Sequence, residues 1–131
     1  MGPTTGIKLF DGMYDGLGNV LDLVRARHQL HASNLVNVDT PGYLAKELPF
    51  QSMLESMMDK GLSGDRVDIN QEVDGSIQEL PAPAFSLDGN SVDPEREATL
   101  MEQNKVMYEA IVGGMSRRLA MLRFAASDGK G

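Results

Sequence analysis

The two histidines, His28 and His31, are the residues whose type and spacing come closest to a metal site. They lie three residues apart, so both imidazoles would share one face of a helix and could approach one ion. The chain has no cysteine and no third histidine, and no further ligand pattern lies near this pair. We therefore favour a place in a helix seam or in polar contacts for both histidines, and we expect no metal and no cofactor.

A calcium-binding loop is the second chemistry that the sequence suggests. Asn70, Glu72 and Asp74 alternate with other residues and precede Gly75, as oxygen ligands and the bend glycine do in such a loop. The closing position, which needs a bidentate glutamate, falls on Pro81. The pattern therefore favours an acidic turn without a bound ion.

No residues are arranged as in an enzyme active site. We find no Ser-His-Asp or Cys-His order, no glycine loop for phosphate and no paired carboxylates in an apolar setting. We therefore predict that the protein is not an enzyme. Turnover that disappears when both histidines are replaced by alanine would be needed to revive the enzyme hypothesis.

Charge is distributed unevenly along the chain. Of the net charge of −7, the segment 40–92 contributes three basic and nine acidic residues, whereas both ends are near neutral. Near-neutral ends can pack against copies of themselves without strong repulsion, while the acidic middle remains solvated. The sequence has no basic stripe with interleaved aromatic residues, so nucleic-acid binding is disfavoured.

The sequence also bears on export and membranes. It has no apolar run as long as that of a signal peptide, and none that approaches the roughly 18 residues of a membrane span. We therefore expect no cleaved signal peptide and no direct insertion into a membrane.

Residues 1–40 are predicted to form the N-terminal helix. Gly12 and Gly16 lie one turn apart, so they either weaken the start of this helix or allow another helix to approach closely. Further along, apolar residues recur at alternating spacings of four and three, which is the pattern of a coiled-coil seam. This seam includes Leu17, Leu21, Val24 and Leu35.

A turn is predicted where this helix ends. The residue before a proline is biased out of the helical region, so Thr40 should leave the helix as Pro41 arrives. Pro41 and Gly42 suit the central positions of a type II turn, which requires φ > 0 at Gly42. Asn34 and Asn37 share one helical face just upstream, and each can donate and accept hydrogen bonds. We predict that both act at an interface.

The middle segment, 41–92, has weaker signals. A short helix is predicted from Pro49 to Lys60, with Gly61 as its stop. After it, apolar residues alternate with polar ones around Asp74-Gly75, which suggests a hairpin or an extended loop.

Residues 93–131 are predicted to form the C-terminal helix, with Asp93 as its N-cap and Pro94 as its first residue. Pairing this helix antiparallel with the first one is the simplest way to bury both apolar stripes. The predicted fold is mainly α: one structural unit whose two long terminal amphipathic helices pair as an antiparallel coiled coil, with a short helix and an irregular or β-hairpin middle. The stripe on the last helix includes Met101, Tyr108, Ile111, Met115, Leu119 and Leu122.

The turn region resembles the N-terminal signature of the bacterial flagellar axial proteins, the family of rod, hook and hook-associated subunits. Val36 departs from the alanine that is usual in that signature. A second block resembles the segment that opens the C-terminal helix in small proximal rod proteins of this family. The residues that match the first signature are Ala32, Asn34, Asn37, Thr40, Pro41, Gly42 and Tyr43. Those of the second block are Asp88, Gly89, Asn90, Val92 and Asp93.

The resemblance implies a structural subunit of the proximal rod of the flagellar basal body, in the periplasmic space and required for motility. Such a subunit would self-assemble through its terminal helices into the helical drive-shaft tube, linking the export-gate and adaptor base to the more distal rod. It would be exported by the flagellar type III system. The implied partners are copies of itself, the rod proteins FlgC, FlgF and FlgG, the adaptor FliE and the export gate. The alternatives are that the chain is the sister rod protein FlgC, or a soluble helical adaptor or export chaperone.

Overall fold

The computed structural model describes residues 2–128. Met1 and residues 129–131, at the ends of the two predicted terminal segments, lie outside this range. Within this range six elements follow one another: helix α1 (Gly2–Val36), strand β1 (Lys46–Glu47), helix α2 (Phe50–Leu62), helix α3 (Ile69–Asp74), strand β2 (Gln78–Glu79) and helix α4 (Pro94–Asp128).

The two long helices, α1 and α4, pack against each other in opposite directions. The end of α1 meets the start of α4 where His31 contacts Glu97. Nearer the start of α1, Tyr14 shares a hollow with Gly114 of α4. The predicted antiparallel pairing of the terminal helices is therefore confirmed.

The helix α1 ends four residues earlier than predicted. It stops at Val36, and beyond it the backbone hydrogen bonds change from the four-residue spacing of an α-helix to a three-residue spacing, as where the Val38 N–H donates to the Leu35 carbonyl at 3.2 Å. The amide side chain of Asn37 also donates to the Ser33 oxygen at 2.8 Å. These local bonds satisfy carbonyls that the end of a helix leaves free.

Helix α2 folds back onto α1, so α1 is covered by α2 on one side and by α4 on another. Gly61 does not stop α2, as the sequence had suggested, but lies buried inside it against Gly16, where a Cβ atom would overlap the backbone of α1. The helix instead ends before Gly64, which has φ +91°. The Gly64 N–H donates to the Gly61 carbonyl at 2.9 Å. The shared core contains Val20, Leu23, Val24, Leu30, Leu48, Met53 and Met57.

The close approach of α1 and α2 also decides the role of the early glycines. A Cβ atom at Gly12 would lie 2.8 Å from the carbonyl oxygen of Leu62, and one at Gly16 would meet the side chain of Met58. Of the two roles considered for Gly12 and Gly16, the structure supports close helix contact, and the neighbour is a helix of the same chain.

The hairpin or extended loop predicted around Asp74 is wrong for residues 69–74, because they form helix α3. Asp68 caps the helix by accepting the Asn70 N–H at 3.1 Å. Ile69 and Val73, one helical turn apart, are half-buried against the core. The alternation of apolar and polar residues was therefore one face of a short helix. The calcium-loop pattern falls on the same helix.

The strands form a two-stranded antiparallel sheet across a long sequence separation. Lys46 of β1 pairs with Glu79 of β2, and Glu47 pairs with Gln78. Helices α2 and α3 lie between the two strands in the chain, so the sheet is not a local hairpin. It closes the middle segment back onto the end of α1.

Candidate functional site

The buried amide of Asn34 connects the end of α1 to the start of β1. Its Nδ2 donates to the Lys46 carbonyl at 2.8 Å, and its Oδ1 accepts the Lys46 N–H at 2.9 Å. The Tyr43 hydroxyl donates to the same Oδ1 at 3.1 Å. The side chain is fully buried, so the chain itself uses the hydrogen-bonding capacity that had suggested an interface.

The turn that follows has the predicted geometry. Gly42 has φ +74°, and the Tyr43 N–H donates to the Thr40 carbonyl at 3.2 Å, as a type II turn requires. The Thr40 hydroxyl donates to the Asn37 side-chain oxygen at 3.1 Å. Asn37 therefore makes local bonds with its side chain, at the exposed end of the helix.

The two sequence blocks that matched the axial signatures dock against each other, which the sequence had not predicted. Asn90 Nδ2 donates to the carbonyls of Asn37 and Thr40 at 2.9 and 2.8 Å. The Gly42 N–H donates to the Asp88 carbonyl at 2.7 Å. We call this contact between residues 34–43 and residues 86–93 the clasp.

Tight backbone geometry shapes the second half of the clasp. Gly89 has φ +73°, and a Cβ atom there would lie 3.6 Å from the Gly42 Cα. Asn90 Oδ1 accepts the Val92 N–H at 2.7 Å. Asp93 then caps α4 as predicted, since its Oδ1 accepts the backbone N–H groups of the second and third helical residues at 3.1 and 3.2 Å.

Beside the clasp, a buried polar pair joins the two long helices. His31 Nδ1 lies 2.5 Å from Glu97 Oε2, and both side chains are 1 % exposed. Burial lowers the pKa of His31, and the hydrogen bond to Glu97 only partly offsets this. In this contact the imidazole donates its Nδ1–H to the carboxylate. Its Nε2 has no hydrogen-bond partner within residues 2–128.

The two histidines considered as a possible metal site lie in different surroundings. His31 lies in the pair with Glu97, which is a polar contact in the helix seam. His28 lies at the side of the α1–α4 pair, in a groove with Asn104. The part of the chain that the structure describes contains no group of three or more His, Asp or Glu residues that could hold a metal ion.

The sequence did not lead us to predict the burial of two further asparagines, Asn19 and Asn104. Asn104 Nδ2 donates to the Val24 carbonyl at 2.6 Å, linking α4 to α1. Asn19 joins α1 to α2 and to the loop after it. Its Nδ2 donates to the Met57 carbonyl within α2 and to the Asp65 carbonyl in the loop, and its Oδ1 accepts the Val67 N–H. A signal existed for α4, because Glu97, Asn104 and Ile111 follow one another at intervals of seven residues, as seam positions of a coiled coil do.

The predicted seam residues divide into two groups. Val24 is buried, and Leu17, Leu21, Leu35, Met101, Ile111 and Met115 are half-buried. Tyr108, Leu119 and Leu122 remain exposed on α4, together with Val112, Met121 and Phe124. Ala32 and Val92 of the signature blocks are half-buried.

Despite their length, none of the helices in residues 2–128 is apolar enough over a long enough stretch to cross a membrane.

Comparison with known proteins identifies the family. No protein-family model matches the chain. The flagellar basal body rod protein FlgB of Bacillus subtilis is 30 % identical over 129 residues, covering 95 % of this chain and all of the relative. FlgB of Escherichia coli is 32 % identical over 114 residues (76 % of this chain, 81 % of the relative), and FlgB of Yersinia enterocolitica 30 % over 123 residues (79 % and 88 %). The chain belongs to the FlgB family, the structural proteins of the flagellar basal body rod.

Proposed function

We propose that this chain is a self-assembling subunit of the proximal rod, and that the apolar side of α4 makes the contacts between subunits. The observation that carries the proposal is the exposure of this helix. Among residues 94–127 of this helix, only Glu97 and Asn104 are buried. Met121 and Phe124 are each 70 % exposed, and Leu119 and Leu122 are 43 % and 41 % exposed. Clustered exposed apolar side chains of this kind mark protein interfaces.

The type of contact between subunits determines the form of the assembly. When one surface of a subunit binds a different surface of the next, the contact repeats without closing unless its rotation closes a ring. Long helices that pack side by side in this way build a helical tube. Burial of apolar area supplies the driving force, at about 25 cal/mol per Å². The near-neutral charge of both chain ends reduces repulsion between neighbours.

The signature residues have an indirect role in this proposal. The clasp holds the end of α1 beside the start of α4, so the two helices keep their relative position while α4 presents its apolar side. Asn34, Gly42 and Asn90 then act by positioning, because their hydrogen bonds lie within the chain. The three predicted segments, 1–40, 41–92 and 93–131, work as one assembly unit and not as separate domains.

The place in the organelle is proposed from the family. We propose that the subunit joins an adaptor base formed by FliE and the export gate to the distal rod proteins FlgC, FlgF and FlgG. It would act in the periplasmic space after export by the flagellar type III system, and without catalysing a reaction. The support is the basal-body rod named for its FlgB relatives.

A complementation experiment tests the proposal. A strain that lacks its own proximal rod subunit should regain motility and complete basal bodies when it expresses this chain. The double variant Met121→Glu/Phe124→Glu should fold but fail to restore either, since both side chains are exposed and, three residues apart, share one face of α4. Gln103→Glu/Ser116→Glu adds the same charge at exposed polar positions of α4 and should restore motility.

Two results would contradict the proposal. Normal motility with Met121→Glu/Phe124→Glu would remove this face of α4 from the proposed assembly contacts. A wild-type chain that restores nothing and remains a stable, fully helical dimer would instead support the adaptor or chaperone alternative.

A further inference from the structure

A groove of about 270 Å³ lies between α1 and α4, away from the clasp. Val24 and Tyr108 contribute apolar surface to it, while Arg25, His28 and Lys105 bring basic groups. None of the ion pairs within residues 2–128 includes Arg25 or Lys105, and both residues are exposed. In a chain of net charge −7, two cations without a carboxylate partner are therefore gathered at one groove.

The groove also contains an unused hydrogen-bond acceptor. Asn104, which is 1 % exposed, lines the groove and donates its Nδ2 to the Val24 carbonyl. Its Oδ1 has no partner within the described residues. Buried polar atoms nearly always have a hydrogen-bond partner. An occupant that suits this groove would supply negative charge for the basic groups and an N–H donor for Asn104.

We propose that the groove binds the segment 68–74 of a second copy of the chain. Asp68 and Asp74 of this segment are exposed and carry negative charge. Asn70 and Gln71 are also exposed, and their side-chain amides can donate to Asn104. The segment belongs to the region 40–92, which holds most of the acidic excess. This inference rests on the proposed self-assembly and names one of its contacts.

The position of α3 makes this contact one that repeats. In each subunit, Ile69 and Asn70 lie beside Arg25 and Gln29 of α1. Arg25 and Gln29 also border the basic groove, so the acidic segment and the groove lie on two sides of the same ridge. Binding of one surface to the other places every subunit in the same relation to the next, which extends an assembly.

Cysteine cross-linking tests the contact directly, because the chain has no cysteine of its own. A strain that lacks its proximal rod subunit would co-express Lys105→Cys and Gln71→Cys chains, so that any disulfide must join two subunits. After mild oxidation, basal bodies should contain a cross-linked pair with one chain of each kind. Glu55→Cys, at an exposed acidic position on α2, replaces Gln71→Cys in the control and should give no such pair.

The outcomes separate this inference from the proposed function. Motile cells whose basal bodies contain no Lys105→Cys/Gln71→Cys pair, or as much of the control pair, would overturn the contact and leave the rod function standing. A wild-type chain that fails to restore motility would overturn the rod function, and this inference with it.

A charge exchange provides a second measurement. Lys105→Glu or Asp74→Lys alone should weaken association of the purified chain about fivefold, the scale expected for one exposed charge pair. A mixture of the two variants should recover, because each groove then meets a segment of opposite charge. Association that is unchanged in the single variants, or that does not recover in the mixture, contradicts the contact.

Discussion

His31 and Glu97 are separated by 66 positions in the sequence, yet their side chains meet at 2.5 Å in the buried contact between α1 and α4. A carboxylate removed from water is costly unless it is paired. A shift of either helix along the other would separate the two groups and leave both buried. The pair therefore favours one register of the terminal helices over all others.

Loss of the carboxylate should destabilise the fold. We expect Glu97→Gln to lower the free energy of unfolding by about 2 kcal/mol, because a charge-assisted hydrogen bond becomes neutral in a buried site. Urea denaturation followed by circular dichroism measures this change. Glu109→Gln, at an exposed position of α4, is the control and should change stability by less than about 0.5 kcal/mol. His31→Leu/Glu97→Leu should be more stable than Glu97→Leu alone, and the reverse order would contradict the pairing.

The free energy of unfolding should fall as the pH drops below the pKa of a free histidine, which is about 6.5. Burial lowers the pKa of His31 in the folded chain, so at acidic pH the unfolded chain binds a proton that the folded chain does not. The free energy of unfolding then decreases from pH 6.5 down to the lowered pKa. The measurement is denaturation at a series of pH values. His31→Gln should flatten the profile. Parallel profiles for wild type and His31→Gln would rule out this source of pH dependence.

A methyl group at Gly61 should separate α1 from α2. The added Cβ atom would overlap the backbone of Gly16, and backbone cannot move aside as a flexible side chain can. We expect Gly61→Ala to cost about 3 kcal/mol or to prevent cooperative folding, although alanine is the better helix former. Gly114→Ala, on α4 in open space, should be neutral or slightly stabilising. Equal thermal stability of the two variants would contradict the close contact.

A side chain at Gly42 should weaken the clasp through the backbone alone. Nothing lies within 4 Å of a Cβ atom there, but φ is +74°, which costs other residues about 1–2 kcal/mol. Gly42→Val should therefore lower stability by at least that amount and impair motility in the complementation strain. Asp65→Asn changes an exposed side chain and serves as the control. If both variants swim equally well, the clasp is not needed in the form described.

The two signature asparagines should differ in their effect on the isolated chain. Asn34→Ala leaves the backbone groups of Lys46 and the Tyr43 hydroxyl without their buried partner, which should cost about 2–3 kcal/mol. Asn37→Ala loses only local bonds at an exposed turn and should cost about 1 kcal/mol or less. Urea denaturation of both variants measures the difference. Equal losses would show that burial of Asn34 has no special weight.

The elements that could be predicted are those determined by local signals. The spacing of Leu17 and Val24 indicated a paired helix, Pro41-Gly42 indicated the turn, and Asp93-Pro94 indicated the start of α4. Each signal depends on residues within a few positions of one another. The paired helix, the turn and the start of α4 were therefore predicted correctly.

The rest depends on partners that are distant in the sequence. Asn19, Glu97 and Asn104 are buried polar residues, so a search for apolar stripes assigns them to the surface. His31 was expected in the helix seam or in polar contacts, but its partner Glu97 was not predicted. The cost of burying these polar groups is offset because each forms a hydrogen bond with another element. Gly61 failed as a stop signal for the same reason, because Gly16 lies 45 positions earlier. The clasp likewise joins two blocks whose contact no local pattern specifies.

The clasp brings the chain back to the place it left. The Gly42 N–H donates to the Asp88 carbonyl at 2.7 Å. Residues 43–87 therefore form a loop whose two ends meet at the clasp, beside the paired helices. Extra residues inserted at its exposed stretch, such as 83–85, would lengthen a loop that is already closed. Each doubling of loop length costs only about 0.6 kcal/mol. A subunit built this way can gain a whole additional domain on its outside while its paired helices keep the same geometry.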